Sequence, residues 1–153
     1  MISHRFLFLL LLLLPIHNSV AQEETFEPLF ENIDITKGLP HNTVQKIFQD
    51  SEGYMWFATK DGLCRYDGYN FIVYCESLVK ESISNSKVRC IAEDAYKNIW
   101  VGTWGAGLHL LHDAYNPEKT TWTTFTHDEN RSGTISDNLI YAISEDLNTN
   151  SLW

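Results

Sequence analysis

The chain is short of cysteine, proline, positive charge and long apolar runs, and each shortage removes a class of protein. Three cysteines (Cys64, Cys75, Cys90) is an odd number and too few for the framework of a small disulfide-stapled domain. Four prolines and eight glycines in 153 residues exclude a collagen-like or low-complexity chain. Eleven Lys and Arg stand against twenty Asp and Glu, a formal charge of −9. That balance argues against nucleic acid as a partner, because phosphates are bound by cations that displace counterions. No run reaches the roughly 20 apolar residues of a membrane-spanning helix. A phosphate-cradling glycine loop, a nucleophile elbow and kinase motifs are all missing. What remains is 44% hydrophobic and 13% aromatic residues, five of them Trp, which is enough for a packed core and excludes disorder.

The start of the chain is built for export. His4 and Arg5 precede nine uninterrupted apolar residues, Phe6 to Leu14, then the breaker Pro15. Ser19-Val20-Ala21 places small residues ahead of Gln22, so residues 1–21 read as a cleavable secretory signal. No Cys sits at the cleavage point, which argues against a lipoprotein anchor. The mature 132 residues keep ten cations and all twenty acids, a net charge of −10. Cys64 and Cys90 sit in strand-like runs and are expected as buried thiols without a disulfide framework.

The rest of the chain repeats itself. Units open at Leu39-Pro40-His41-Asn42-Thr43-Val44, Ile83-Ser84-Asn85-Ser86-Lys87-Val88 and Ile135-Ser136-Asp137-Asn138-Leu139-Ile140. Val44, Val88 and Ile140 correspond, then Ile47, Ile91 and Ile143, then Asp50, Asp94 and Asp146, at offsets of 44 and 52 residues. Trp56 and Trp100 come six residues after the Asp, and Trp153 seven. Thr59 and Thr103 follow, then Gly62-Leu63 and Gly107-Leu108. Three occurrences in register point to a repeat architecture.

Each unit reads as short strands. Tyr54–Thr59 and Asn98–Thr103 are rich in aromatic and β-branched residues. Each follows an Asp-led turn, where the carboxylate accepts backbone N–H groups. Gly62–Tyr66 gives a third strand, Asp67-Gly68 a hairpin turn, and Asn70–Tyr74 a fourth; Thr120–Phe125 takes that last part in the second unit. Four strands in 44–52 residues is the arithmetic of a β-propeller blade. The opening segment is ambiguous, since Val44, Ile47 and Phe48 also suit a helical face. A helix-pair repeat is therefore the rival, but Gly102, Gly105 and Gly107 would break its second helix.

These stretches resemble one family. Leu39–Val44, Gln49–Thr59 and Gly62–Phe71 look like the two-component regulator propeller repeat of the periplasmic sensor region in Bacteroidetes hybrid two-component systems. The match runs over about residues 33–153. The resemblance implies two propellers, a β-sandwich domain, a membrane helix, a histidine kinase, a receiver and often a DNA-binding domain in the full-length relative, which is expected as a homodimer. It implies detection of glycan fragments, with an oligosaccharide as ligand, the rest of the sensor chain as partner, an inner-membrane anchor, no cofactor and no enzyme activity in this segment. The expected division is a signal peptide at 1–21, a lead-in at 22–38, blade repeats at 39–82 and 83–134, and a truncated third at 135–153. Seven blades need roughly 310–360 residues, so the chain reads as about two and a half blades of an incomplete propeller and a partial sequence. An open arc exposes strand edges, and the mature piece alone is expected to be unstable or to aggregate.

Candidate chemistry is sparse. His109 and His112 are spaced H-x-x-H, with His127 further on, but no Cys or carboxylate pattern completes a zinc site, so they read as surface or packing residues. Asp146-Leu147-Asn148-Thr149-Asn150 mimics a calcium loop yet falls where the repeat needs a turn. Asn130-Arg131-Ser132 is a glycosylation sequon only in a eukaryotic secretory route. Trp56, Trp100 and Trp153 are expected in blade cores. Trp104, beside Gly105-Ala106-Gly107, is the ligand-binding candidate, since pyranose faces stack on flat rings and loop additions carry function. Packing between blades is the plainer role for it. Arg65 and Tyr66 are candidates for the propeller mouth. The competing functions are a secreted propeller enzyme acting on polysaccharide and a pure interaction scaffold.

Overall fold

The computed structural model describes residues 28–75, 83, 87–146, 149 and 151–153. The export segment expected over 1–21 lies outside them. Asn32–Trp153 forms one compact unit. Among the described residues no helix is long and apolar enough to cross a membrane.

Four strands, Val44–Gln49 (β1), Met55–Thr59 (β2), Gly62–Tyr66 (β3) and Phe71–Tyr74 (β4), form an antiparallel sheet in the order β1-β2-β3-β4. Val88–Glu93 (β5), Ile99–Thr103 (β6), Leu108–His112 (β7) and Thr121–Phe125 (β8) repeat that sheet. Short strands Glu145–Asp146 (β9) and Ser151–Leu152 (β10) pair in the third unit. The chain is all-β, built of four-stranded propeller blades. The ambiguous opening segment is a strand: Ile47 and Phe48 pair with Phe57 and Trp56 of β2. A single 3-10 turn, Ile35–Lys37, precedes it, capped by Asp34, whose Oδ1 accepts from Thr36 N at 2.8 Å.

Two local rules shape each blade. In the first, an aspartate pins the turn before the second strand and holds the indole beyond it. Asp50 Oδ1 accepts from Glu52 N at 3.0 Å and Tyr54 N at 2.9 Å, while Oδ2 accepts from Trp56 Nε1 at 2.7 Å. Asp94 repeats this with Tyr96 N, Asn98 N and Trp100 Nε1, each within 2.9 Å. Partial burial opposes the charge of Asp94, but the bonds from Trp100, Asn98 and Tyr96 outweigh it and hold the carboxyl below its usual range. In the second rule, the buried Thr59 and Thr103 hydroxyls donate to the carbonyls of Gly62 and Gly107, at 2.7 and 2.9 Å, closing the next turn.

A third rule joins neighbouring units. Glu93, just before Asp94, accepts from Ser51 N and Ser51 Oγ, both at 2.7 Å. Glu145, just before Asp146, accepts from Ala95 N at 2.7 Å. In the second and third repeats, the residue before the aspartate thus latches onto the turn of the preceding unit.

The main core lies between the two sheets, where Trp56, Ala58 and Leu63 meet Val88, Ile91, Ile99, Val101 and Leu111. A second cluster covers the other face of the first sheet, with Leu39 and Ile33 packed on Phe57 and Cys64. Strands buried on both faces need no polar alternation, which is why β2 reads as a continuous apolar run. Cys64 and Cys90 are buried and unbridged, and Cys75 is an exposed free thiol.

Two expectations change in three dimensions. Arg65 does not face a mouth: it is buried, its Nη1 donates to Ala114 O, and its Cζ lies 4.5 Å from the Tyr54 ring and 5.8 Å from that of Tyr115. Its guanidinium is an aromatic-packed cation between blades. Tyr66 stacks on Phe71 at 4.4 Å and bonds Gly68 O in the outer hairpin. Trp153 is 79% exposed, in contrast to the fully buried Trp56. Trp56 is covered by Tyr74 of its own outer strand at 5.9 Å, and no described strand stands in that place over Trp153.

His109 makes stability depend on pH. The ring is fully buried, with Nδ1 3.0 Å from Thr124 Oγ1, and burial pushes its pKa down from 6.5 to about 4. Between those values the unfolded chain binds a proton that the folded chain refuses. The stability is therefore complete above pH 6.5 and falls as the pH drops, by about 3 kcal/mol at pH 4. Urea denaturation of the complete sensor protein and of its His109→Gln variant at both pH values should show a shallower pH dependence in the variant by that amount. Equal slopes would refute it.

Candidate functional site

Each inner strand carries one irregularity, at the same place. The β1–β2 register runs from Val44↔Thr59 to Lys46↔Ala58, and the β5–β6 register from Val88↔Thr103 to Cys90↔Gly102. Gln45 and Arg89 are therefore the extra residues of two equivalent bulges. A bulge bends its strand and re-aims a side chain. Both residues line a cleft of about 310 Å³ together with Lys60, Lys87, Val88 and Trp104. Lys60 and Trp104 are equivalent in turn, each following the threonine that ends β2 or β6. Their backbones are tied alike, Lys60 N donating to Thr43 O at 3.3 Å and Trp104 N to Lys87 O at 3.0 Å.

The third unit completes this surface. Its backbone docks on the β6–β7 turn, where Asn138 O accepts from Gly105 N at 3.1 Å and Gly107 N at 2.8 Å. Ile140 N donates to Thr103 O at 3.0 Å. Tyr141 then falls at the position that corresponds to Gln45 and Arg89. With Gln45, Lys46 and Arg89 it lines an adjoining cleft of about 260 Å³.

Trp104 and Tyr141 are 51% and 61% exposed, with ring centroids 6.2 Å apart. The Arg89 Cζ lies over both, 4.7 Å from the Trp104 centroid and 4.2 Å from that of Tyr141. Such cation–π contacts hold the guanidinium while its N–H donors keep their fixed planar fork. The local field is positive. Burial pushes the Cys90 thiol up to about 11, against a lowering pull from its Gly102 bond and from the charges of Arg89 and Lys46. The arrangement offers flat ring surface, a fork of donors and amide and ammonium groups, all on one rim.

Among the residues singled out in the sequence, only Trp104 stands at this rim. His109 and His112 point to opposite faces of β7, as residues three apart on a strand must. They bond separate partners, Thr124 and Thr123, and do not converge on a metal. The nearer ring nitrogen of His127 lies 2.7 Å from Ile135 O. Of the calcium-like loop, Leu147, Asn148 and Asn150 lie outside the described residues, and Thr149 Oγ1 bonds Asp146 Oδ2 at 2.9 Å across the β9–β10 turn. Arg89 and Tyr141 were visible only as the positions after Val88 and Ile140 in the aligned units.

A family model described as two-component regulator propeller matches residues 38–61 and 82–105. These segments are two-component regulator propeller repeats. The matched segments contain Lys60 and Gln45 from one repeat and Lys87, Arg89 and Trp104 from the other, so the cleft lies between repeats. The chain is similar to the crystal structure of the extracellular domain attributed to the hybrid two component system BT3049 from B. thetaiotaomicron, at 29% identity and a TM-score of 0.66. That likeness covers 77% of this chain and 16% of the other, so the chain spans about a sixth of that domain's length. The extracellular domain attributed to BT4673 of the same organism is 21% identical over 75% of this chain and 21% of that one, with a TM-score of 0.42. No curated protein matches the chain.

Proposed function

We propose that this chain is part of the extracytoplasmic sensing propeller of a hybrid two-component sensor, exported by residues 1–21, and that it recognises an oligosaccharide at the cleft rimmed by Trp104. Binding would shift a population between two placements of the propellers and so reach a histidine kinase across the membrane. The observation that carries the reading is an exposed tryptophan held by a rigid repeat turn beside a cleft between two repeats. The plainer role of Trp104, packing between blades, fits its half-exposed ring less well. A secreted glycan-cleaving enzyme is disfavoured here, since among the described residues no Asp or Glu lines either cleft, and glycoside hydrolysis needs a carboxylate pair.

The test is binding by the complete sensor protein to oligosaccharides released from plant and algal polysaccharides, followed by calorimetry. Trp104→Ala should weaken the bound member of that set by about tenfold or more. Unchanged affinity in the variant, with a sugar that binds the parent protein, would remove this cleft from the function.

A further inference from the structure

We infer that the ligand of this cleft is an anionic oligosaccharide, carrying carboxylate or sulfate groups that Arg89, Lys60 and Lys87 receive while a sugar face lies on the aromatic rim. The inference rests on the reading of the cleft as a glycan site and adds the charge of the glycan.

The few cations are unevenly placed. The chain holds eleven Lys and Arg against twenty acids. Three of the eleven, Lys60, Lys87 and Arg89, line one cleft, and Lys46 joins Arg89 in the cleft beside it. No acidic residue lines either cleft among the described residues, although acids outnumber bases nearly two to one. Gathering like charges in a chain of opposite net sign costs self-repulsion, and a concave site focuses the resulting field. Outside the clefts, Lys97 pairs with Glu52, and Arg65 is clamped between rings and Ala114 O.

The geometry fits one kind of group. Arg89 stands at a bulge, so its side chain leaves the strand ladder and reaches the rim. Trp104 and Tyr141 hold its guanidinium in place, which reduces the entropy lost when it binds. A planar fork so held receives a carboxylate or sulfate through two parallel N–H bonds. Lys60 and Lys87 add point charges, and the Gln45 amide can serve a hydroxyl.

The experiment titrates the complete sensor protein with tetrasaccharides from polygalacturonate, alginate and carrageenan. Each is paired with its carboxyl-reduced or desulfated counterpart. At least one charged probe should bind about tenfold or more tightly than its neutral partner. Affinity should fall several-fold as salt rises from about 50 to about 500 mM. Arg89→Gln should abolish most of that preference, and Lys119→Gln, outside the cleft, should leave it intact. The uronate and sulfate arms distinguish the two sources of charge. Equal binding of charged and neutral partners would overturn the anionic assignment and leave the glycan-sensing reading standing. Binding of neutral probes alone does the same, and binding of none overturns both.

Discussion

Asp50→Ala should unfold the first blade of the complete sensor protein under conditions where the parent protein is folded. Its carboxylate is buried and accepts from two backbone N–H groups, from Trp56 Nε1 at 2.7 Å and from Tyr115 Oη at 3.3 Å. Burial first, and then the charge of Asp50, push the Tyr115 phenol up, so it stays protonated and donating. Tyr115 belongs to the second repeat, so one carboxylate ties a turn, a core indole and a neighbouring blade. Truncation leaves a fully buried indole N–H without its acceptor, at about 1–3 kcal/mol, and frees a turn besides. The expected loss is about 4 kcal/mol, a large part of the 5–15 kcal/mol typical of a domain. Asp94→Ala removes the matching bonds from a less buried site and should cost about half as much.

A double-mutant cycle separates the indole from the rest. Trp56→Phe removes the donor, so Asp50→Ala in that background should cost about 1–2 kcal/mol less than in the parent. Additive losses would place the energy in the backbone turn alone. Urea denaturation followed by tryptophan fluorescence reads every corner of the cycle.

This Asp–Trp pair shows how far the sequence carries an argument and where it stops. The six-residue spacing of Asp50 to Trp56 and Asp94 to Trp100 was plain, and so was the turn between them. The direct bond was not, because spacing along a turn does not say which way an indole faces. Strands β2, β3 and β6 were legible to within a residue, since β-branched and aromatic runs between glycine turns have few other solutions. Arg65 was misplaced for the opposite reason. A cation inside a strand reads as surface, and only the approach of Tyr115 and Ala114 from the next repeat creates a buried slot for it. The bulges at Gln45 and Arg89 were equally hidden. A bulge is a mismatch of register between two strands, and neither strand records it alone. Trp104 stood out as an extra aromatic in a glycine turn, whereas its partner Tyr141 came from a unit that shows little regular structure before β9.

The same glycine turn carries the second large effect. Gly107→Ala should cost about 4 kcal/mol and weaken ligand binding together with stability. Gly107 has φ +85°, and a Cβ there would be driven into the backbone carbonyl oxygen of Phe125, which no side-chain rotation can relieve. Gly62 stands at the equivalent place in the first repeat, with φ +131° and a Cβ that would lie 2.7 Å from Tyr74 O. Gly105, two residues earlier, also has positive φ, +105°, but no atom lies within 4 Å of its Cβ position. Gly105→Ala therefore bears the backbone strain alone, about 1–2 kcal/mol. The difference between the two variants measures the clash. Its consequence reaches the cleft, because Thr103 to Gly107 is the turn that presents Trp104. Gly107 N bonds Asn138 O, and Asn138 leads into the Ile140–Tyr141 segment. Displacing that turn should move Trp104 and Tyr141 apart and free the Arg89 guanidinium between them. If Gly107→Ala lowers stability but leaves affinity for a charged probe unchanged in the folded fraction, the rim does not depend on this turn, and the cleft is assembled from the inner strands alone.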